Sequence, residues 1–158
     1  MLQKTEELIE FVNILHKRGH TVEMFTNGTL LYPERLLDTC FFVMDWKLPG
    51  SGEANNTFGM NNKNRIDNFY QLCAADAVKF TIASQEDFVF AATIYQRYWI
   101  DERGKKPLEH YPQVFAGIVW DKGITNEQLV DLILKNDLPW RLNVQVHNHI
   151  WDRSQRGI

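Results

Sequence analysis

Strand-like and helix-like segments alternate along this chain, and no two strand-like segments follow each other directly. That regularity excludes hairpins, meanders and sandwiches, which need consecutive strands. It leaves parallel strands joined by helical crossovers as the way to build a sheet. Residues 5–18 read as a helix, because Leu8, Phe11, Val12 and Leu15 recur at helical spacing and Ile9 widens the stripe. Glu6 and Glu7 suit the positive end of its dipole, Lys17 and Arg18 the negative end, and Gly19 stops it. Strand 21–26 follows, with an Asn27-Gly28 turn, then a short helix over 33–38 with Pro33 in its first turn, then strand Cys40–Lys47. A Gly-, Ser- and Asn-rich loop runs from Leu48 to Asn62, long enough to carry function. Helix 64–73 places Ile66, Phe69, Tyr70 and Cys73 on one side, and Ala77–Ile82 is the third strand. Ser84 with Asp87 opens a helix to about Trp99, residues 101–113 form a loop, and Val114–Trp120 is the fourth strand. Thr125 with Gln128 is a capping box for a helix to about Lys135; Arg141–His147 is the last strand, before an irregular tail from Asn148 to Ile158.

The strands are two-faced. Val78, Phe80 and Ile82 point one way and Lys79 and Thr81 the other; Leu142, Val144 and Val146 oppose Asn143, Gln145 and His147; Asp45 and Lys47 share a face. Parallel strands covered by helices on both sides run continuously apolar. Here a partly closed barrel accounts for the pattern, with apolar side chains against helices and polar ones lining the interior. A sheet with one solvated face is the alternative. The fold class expected is therefore α/β, a partial (β/α) barrel of parallel strands alternating with helices. Its polar residues gather near the C-terminal strand ends, where α/β folds bind ligands. Because the chain opens on a helix, strand 21–26 is either a true sheet edge or the junction with a larger fold.

Composition narrows the function. At 158 residues and 44% hydrophobic, the chain has one domain's worth of core. Lys+Arg total 17 against 20 Asp+Glu, a net charge of -3 that argues against a nucleic-acid clamp but permits a small anion held by one or two lysines. Lys4, Glu6 and Glu7, with no apolar run beside them, predict neither a signal peptide nor a membrane span. Cys40 and Cys73 are too far apart in sequence for a self-contained metal site or a disulfide framework, so a reducing cytoplasm is the expected setting.

Several short motifs then fall in a recognisable order: Thr26-Asn27-Gly28-Thr29, Asp45-Trp46-Lys47-Leu48-Pro49 with Ser51-Gly52, Val78-Lys79-Phe80, and Gln145-Val146-His147. Together they resemble the C-terminal part of radical SAM enzymes of the 7-carboxy-7-deazaguanine synthase family. The closing Trp151 to Gly157-Ile158 is similar to that family's C-terminus, and Met1-Leu2-Gln3 resembles the residues after its Gly-Gly-Glu-Pro motif. The resemblance implies that residues 1–158 are the C-terminal part of a single domain. It implies that the three-cysteine loop for a [4Fe–4S] cluster and a magnesium-associated threonine belong to a missing N-terminal part. Cys40 and Cys73 do not replace that loop, since cluster ligation needs thiolates grouped together. The implied reaction is the radical ring contraction of 6-carboxy-tetrahydropterin, with loss of ammonia, in queuosine-type 7-deazapurine biosynthesis. S-adenosyl-L-methionine is the implied radical source.

The resemblance also proposes roles. Asn27 either hydrogen-bonds S-adenosylmethionine or organises its turn, and Phe25 stands where the family usually has Glu. Asp45 and Lys47 face the cofactor, the lysine suited to the methionine carboxylate. Lys79 either pairs with Asp45 or meets the substrate carboxylate. Asp121 follows a strand where the family contacts cofactor. Gln145 and His147 bind substrate or fix the tail, His147 and His149 alone making a weak metal signal. Arg156 and the carboxylate of Ile158 close the site. The expected partners are a pterin substrate and either a complementary N-terminal chain or a second copy, with no direct nucleic acid and no membrane. A radical SAM activating enzyme and a non-catalytic interaction module are the alternative readings.

Overall fold

The computed structural model describes residues 5–51, 63–101, 110–120, 123–146 and 150. Its elements are α1 (Thr5–Lys17), β1 (Val22–Thr26), α2 (Glu34–Leu37), β2 (Cys40–Asp45), α3 (Lys63–Gln71), β3 (Ala77–Ile82), α4 (Gln85–Tyr95), β4 (Gln113–Ile118), α5 (Asn126–Lys135) and β5 (Arg141–Leu142). Strands and helices alternate as their spacing requires, and the five strands form one sheet in the order β1-β2-β3-β4-β5 with every pair parallel. Sequential order is that of a (β/α) barrel segment; a doubly wound sheet reverses its order partway.

One face of the sheet is the core. Phe42 and Met44 of β2, Val78, Phe80 and Ile82 of β3, and Val114 and Ala116 of β4 are buried with Ile9 and Val12 of α1, Leu36 of α2, Phe69 of α3, Phe88 and Ala91 of α4, and Leu129 and Ile133 of α5. The helices thus cover one side, and the opposite face carries Phe25, Asp45, Lys79 and Thr81, exposed or half-buried. This is the two-sidedness expected of the strands. The capping residues behave as their chemistry dictates: Ser84 Oγ accepts from Asp87 N–H at 3.2 Å, and Thr125 and Gln128 form the reciprocal box that starts α5.

Three expectations need correction. The last strand is not Arg141–His147: β5 pairs with β4 only over Arg141–Leu142, although Asn143 N–H still reaches the Ala116 carbonyl at 2.7 Å. Leu142, Val144 and Val146 are exposed, so this edge has little apolar packing to extend it. The helix from Ser84 does not stop at Trp99; α4 continues through a π-helical stretch, Gln96–Asp101, which buries Tyr98 and Trp99. Pro33 is the N-cap of α2 rather than part of its first turn. Among the described residues, no helix is long and apolar enough to cross a membrane.

Candidate functional site

The C-terminal ends of β1 and β2 meet in a cleft of about 480 Å³. Asn27, Asp45, Lys47 and Lys79 all line it, so the structure brings together the turn asparagine after β1 with the inner-face Asp45, Lys47 and Lys79.

The first side of the cleft is the segment between β1 and α2. Gly28 adopts φ 70, and the Met44 side chain leaves no room for a Cβ there, which explains the Asn-Gly turn. Asn27 Oδ1 accepts from Thr29 N–H at 3.2 Å and from Thr29 Oγ1 at 2.8 Å. Its carbonyl group is therefore engaged in a local Asx-type turn.

Helix α3 holds this segment from behind. Asn68 is fully buried, its Oδ1 accepting from Tyr32 N–H at 2.9 Å and its Nδ2 donating to the carbonyls of Gly28 at 3.0 Å and Leu30 at 2.7 Å. Asn64 donates to the Thr29 carbonyl at 2.9 Å, and Arg65 Nε reaches the Asn27 carbonyl at 3.4 Å. The Arg65 guanidinium is buried, 5.6 Å from the Trp46 ring centroid. Burial pulls its pKa down, and the neighbouring charge of Asp45 and the Tyr32 phenol oppose that pull. Burial likewise pushes the Tyr32 hydroxyl well above the ordinary phenol range.

The apolar pattern of α3 in the sequence does not mark these residues as part of the site. By spacing, the apolar side of this helix is Ile66, Phe69, Tyr70 and Cys73, yet the buried residues are Arg65, Asn68, Phe69 and Leu72. The spacing i, i+3, i+4, i+7 was present, with two polar residues on the apolar line. A polar residue in a core stripe is the signal that finds such a clamp.

Asp45 and Lys47 form the second side. Lys47 Nζ lies 2.6 Å from Asp45 Oδ2, both side chains about one-third exposed, and Asp45 Oδ1 is buried without a hydrogen-bond partner. Lys79 sits opposite Asp45 in the β2–β3 register, but of its two readings the ion pair with Asp45 does not form. Lys47, two residues along the same strand face, occupies the carboxylate instead. Among the described residues the Lys79 amine has no ion-pair or hydrogen-bond partner, which leaves a half-buried cation facing the interior.

Asp87 fixes the start of the long loop. Its Oδ1 accepts from Gly50 N–H at 2.8 Å and its Oδ2 from Ala83 N–H at 3.0 Å, tying the Pro49–Ser51 turn to the end of β3. Gln145 is described and half-buried after β5. Asp121, His147, His149, Arg156 and Ile158 lie outside the described residues. Among the described residues, no group of three His, Cys, Asp or Glu can hold a metal ion. Cys40 is buried, with its thiol pKa pushed up by desolvation, and Cys73 is exposed.

Fold and cleft together define a class: a parallel α/β protein of sequential strand order whose charged side chains gather at the C-terminal ends of its first strands. No family model matches the chain. It is similar to proteins named 7-carboxy-7-deazaguanine synthase, as its ordered motifs indicate. One from Methanospirillum hungatei is 27% identical over 95% of this chain and 54% of its own length. One from Clostridium acetobutylicum is 29% identical over 96% of this chain and 63% of its own length. One from Koribacter versatilis is 24% identical over 99% and 68% respectively. The chain thus spans little more than half the length of the first relative and under two thirds of the second.

Proposed function

We propose that this chain supplies the C-terminal part of a radical SAM enzyme that contracts 6-carboxy-tetrahydropterin to 7-carboxy-7-deazaguanine in queuosine-type biosynthesis, in the cytoplasm. The observation that carries the reading is the coincidence of two facts. Similarity to synthases of that name runs along nearly the whole chain, and polar residues of three of the four ordered motifs (Asn27, Asp45 with Lys47, and Lys79) line one cleft.

The cleft suits an amino-acid zwitterion. Lys47 lines the cleft for a carboxylate and the exposed part of the Asp45 carboxylate for an ammonium, so the methionine end of S-adenosylmethionine matches the pair in both signs. When bound, that cofactor would supply the radical chemistry, while this chain's residues would hold and orient it. The Lys79 amine, free on the same interior face, orients an anionic substrate. Asp121, Gln145, His147, Arg156 and the Ile158 carboxylate are the further contacts that the resemblance proposes. A [4Fe–4S] cluster does not fit this chain, because one of its two cysteines is buried and the other exposed. The cluster and magnesium are assigned to the part of the relatives that this chain does not span.

The test is reconstitution under anaerobic conditions with that missing part and S-adenosylmethionine, with product read by mass spectrometry. Formation of 7-carboxy-7-deazaguanine, lost on Lys79→Met, is the expected result. Reassembly into a folded complex that leaves the pterin unchanged overturns the reading.

A further inference from the structure

The two walls of the cleft share a support that does not line it. Arg65 of α3 is fully buried. Its Nε lies 3.4 Å from the Asn27 carbonyl on the first wall. Its guanidinium carbon lies 5.6 Å from the ring centroid of Trp46, the residue between Asp45 and Lys47 on the second. Its Cγ is 3.3 Å from where a Cβ on Gly28 would stand, so the side chain runs directly behind the Asn27-Gly28 turn.

A guanidinium stays charged at any ordinary pH, and burying one is costly without a compensating charge. The negative group that acts on Arg65 is Asp45, whose charge opposes the downward pull of burial. Asp45 has the converse need. Its Oδ2 meets Lys47 Nζ at 2.6 Å, but its Oδ1 is buried with no hydrogen-bond partner. An oxygen of that kind is costly to bury unless a cation stands near. Asp45 therefore has two cations about it, Lys47 lining the cleft and Arg65 buried behind.

The count of charges decides what the cleft can hold. A carboxylate with one lysine makes a neutral pair, and that lysine has little attraction left for a second carboxylate. A carboxylate that also answers a buried cation holds each of the two less tightly. The outer amine can then be shared with an anion from solution.

We infer that Arg65 is a positioning residue for ligand binding: by drawing on the charge of Asp45 from behind, it leaves the Lys47 amine available to a carboxylate group entering the cleft. This rests on the functional reading above only for the identity of that carboxylate, the methionine end of S-adenosylmethionine. Arg65 itself touches no ligand. A merely structural Arg65 would act with the opposite sign, because its loss would loosen the turn and the end of β2 and open Lys47 to solvent.

The experiment first needs no ligand. Acetic anhydride at limiting dose labels amines in the full native chain, and peptide mapping compares Lys47 with the exposed Lys135 of α5. Arg65→Met should slow Lys47 labelling about three-fold, the modest effect that a partly exposed pair allows. Arg65→Lys, which keeps the charge, should restore it. In an Asp45→Asn background Arg65→Met should change nothing, since the group it acts through is gone. Should Arg65→Met not fold, Arg65→Gln carries the same comparison. Faster or unchanged labelling in the uncharged variant, or the same slowing without Asp45, overturns the inference. Calorimetry on the reconstituted protein then compares S-adenosylmethionine with its decarboxylated analogue. The wild type should prefer the carboxylated form about ten-fold, as a charge-assisted contact allows, and Arg65→Met should lose most of that preference. Two affinities that fall together with their ratio kept overturn the inference. A wild type that binds neither compound removes the functional reading, and the labelling result still decides the role of Arg65, so the two fail separately.

Discussion

Asn68 of α3 holds Tyr32 in place: its Oδ1 accepts from the Tyr32 backbone N–H at 2.9 Å, inside a fully buried site. The same carboxamide donates to two further carbonyls of the segment that forms one wall of the cleft. Asn68→Leu leaves one donor and two acceptors unsatisfied, a loss of about 3 kcal/mol once partial relaxation is allowed for. Asn68→Asp keeps the acceptor for Tyr32 N–H and loses the donors, so it should also destabilise while being less disruptive in shape. Urea denaturation of both variants checks this; wild-type midpoints would show that the segment holds without the clamp.

Lys47→Met should separate stability from binding. The Asp45–Lys47 pair is about one-third exposed, so its contribution to folding, discounted for solvent screening, is under about 1 kcal/mol. A charge-assisted contact to a ligand carboxylate is worth about 1.5–3 kcal/mol, so on the proposed function S-adenosylmethionine affinity of the reconstituted protein should fall ten-fold or more. Calorimetry with that cofactor decides the matter, and unchanged affinity removes Lys47 from the site.

Asp87 bridges Gly50 and Ala83, and a Cβ on Gly50 would collide with its carboxylate. Asp87→Ala should cost about 2–3 kcal/mol, since two backbone N–H groups lose a charged acceptor. Gly50→Ala should also destabilise, but the double variant should lose less than the sum, because the carboxylate that causes the collision is gone. Additive losses in a thermal or chemical unfolding series would contradict a shared contact.

The two cysteines should react at different rates. Cys73 is exposed, whereas Cys40 is buried and its thiol is held above the ordinary range by desolvation, which leaves less thiolate near neutral pH. A thiol reagent should modify one residue rapidly in the native chain and the second only on unfolding. Peptide mapping that finds Cys40 labelled first would refute the packing around β2.

Much of this architecture is legible from periodicity. Val78, Phe80 and Ile82 alternate with Lys79 and Thr81, and burial follows that alternation because one face of β3 meets helices and the other does not. The limits are equally physical. Alternation at Leu142, Val144 and Val146 says which way side chains point, not how far a neighbouring strand continues, and the pairing of β5 ends at Leu142. Asp45 has two lysines within reach of its face, one across the register and one two residues along, and only geometry distinguishes Lys47 from Lys79. Helix α3 defeats the pattern because Arg65 and Asn68 are buried for hydrogen bonding rather than for hydrophobicity.

Sequential strand order also bears on how the sheet is made. Each strand after β1 pairs with the one synthesised immediately before it. No pairing has to await a distant segment, and no crossover has to thread past a later one. As the polypeptide leaves a ribosome, the sheet can grow by accretion, one βα step at a time, with domains generally built from the N-terminal side. Among these five strands β1 is the template for those that follow. Phe25 and Leu31, exposed beside its outer edge, are therefore presented to other chains from the first step of that growth.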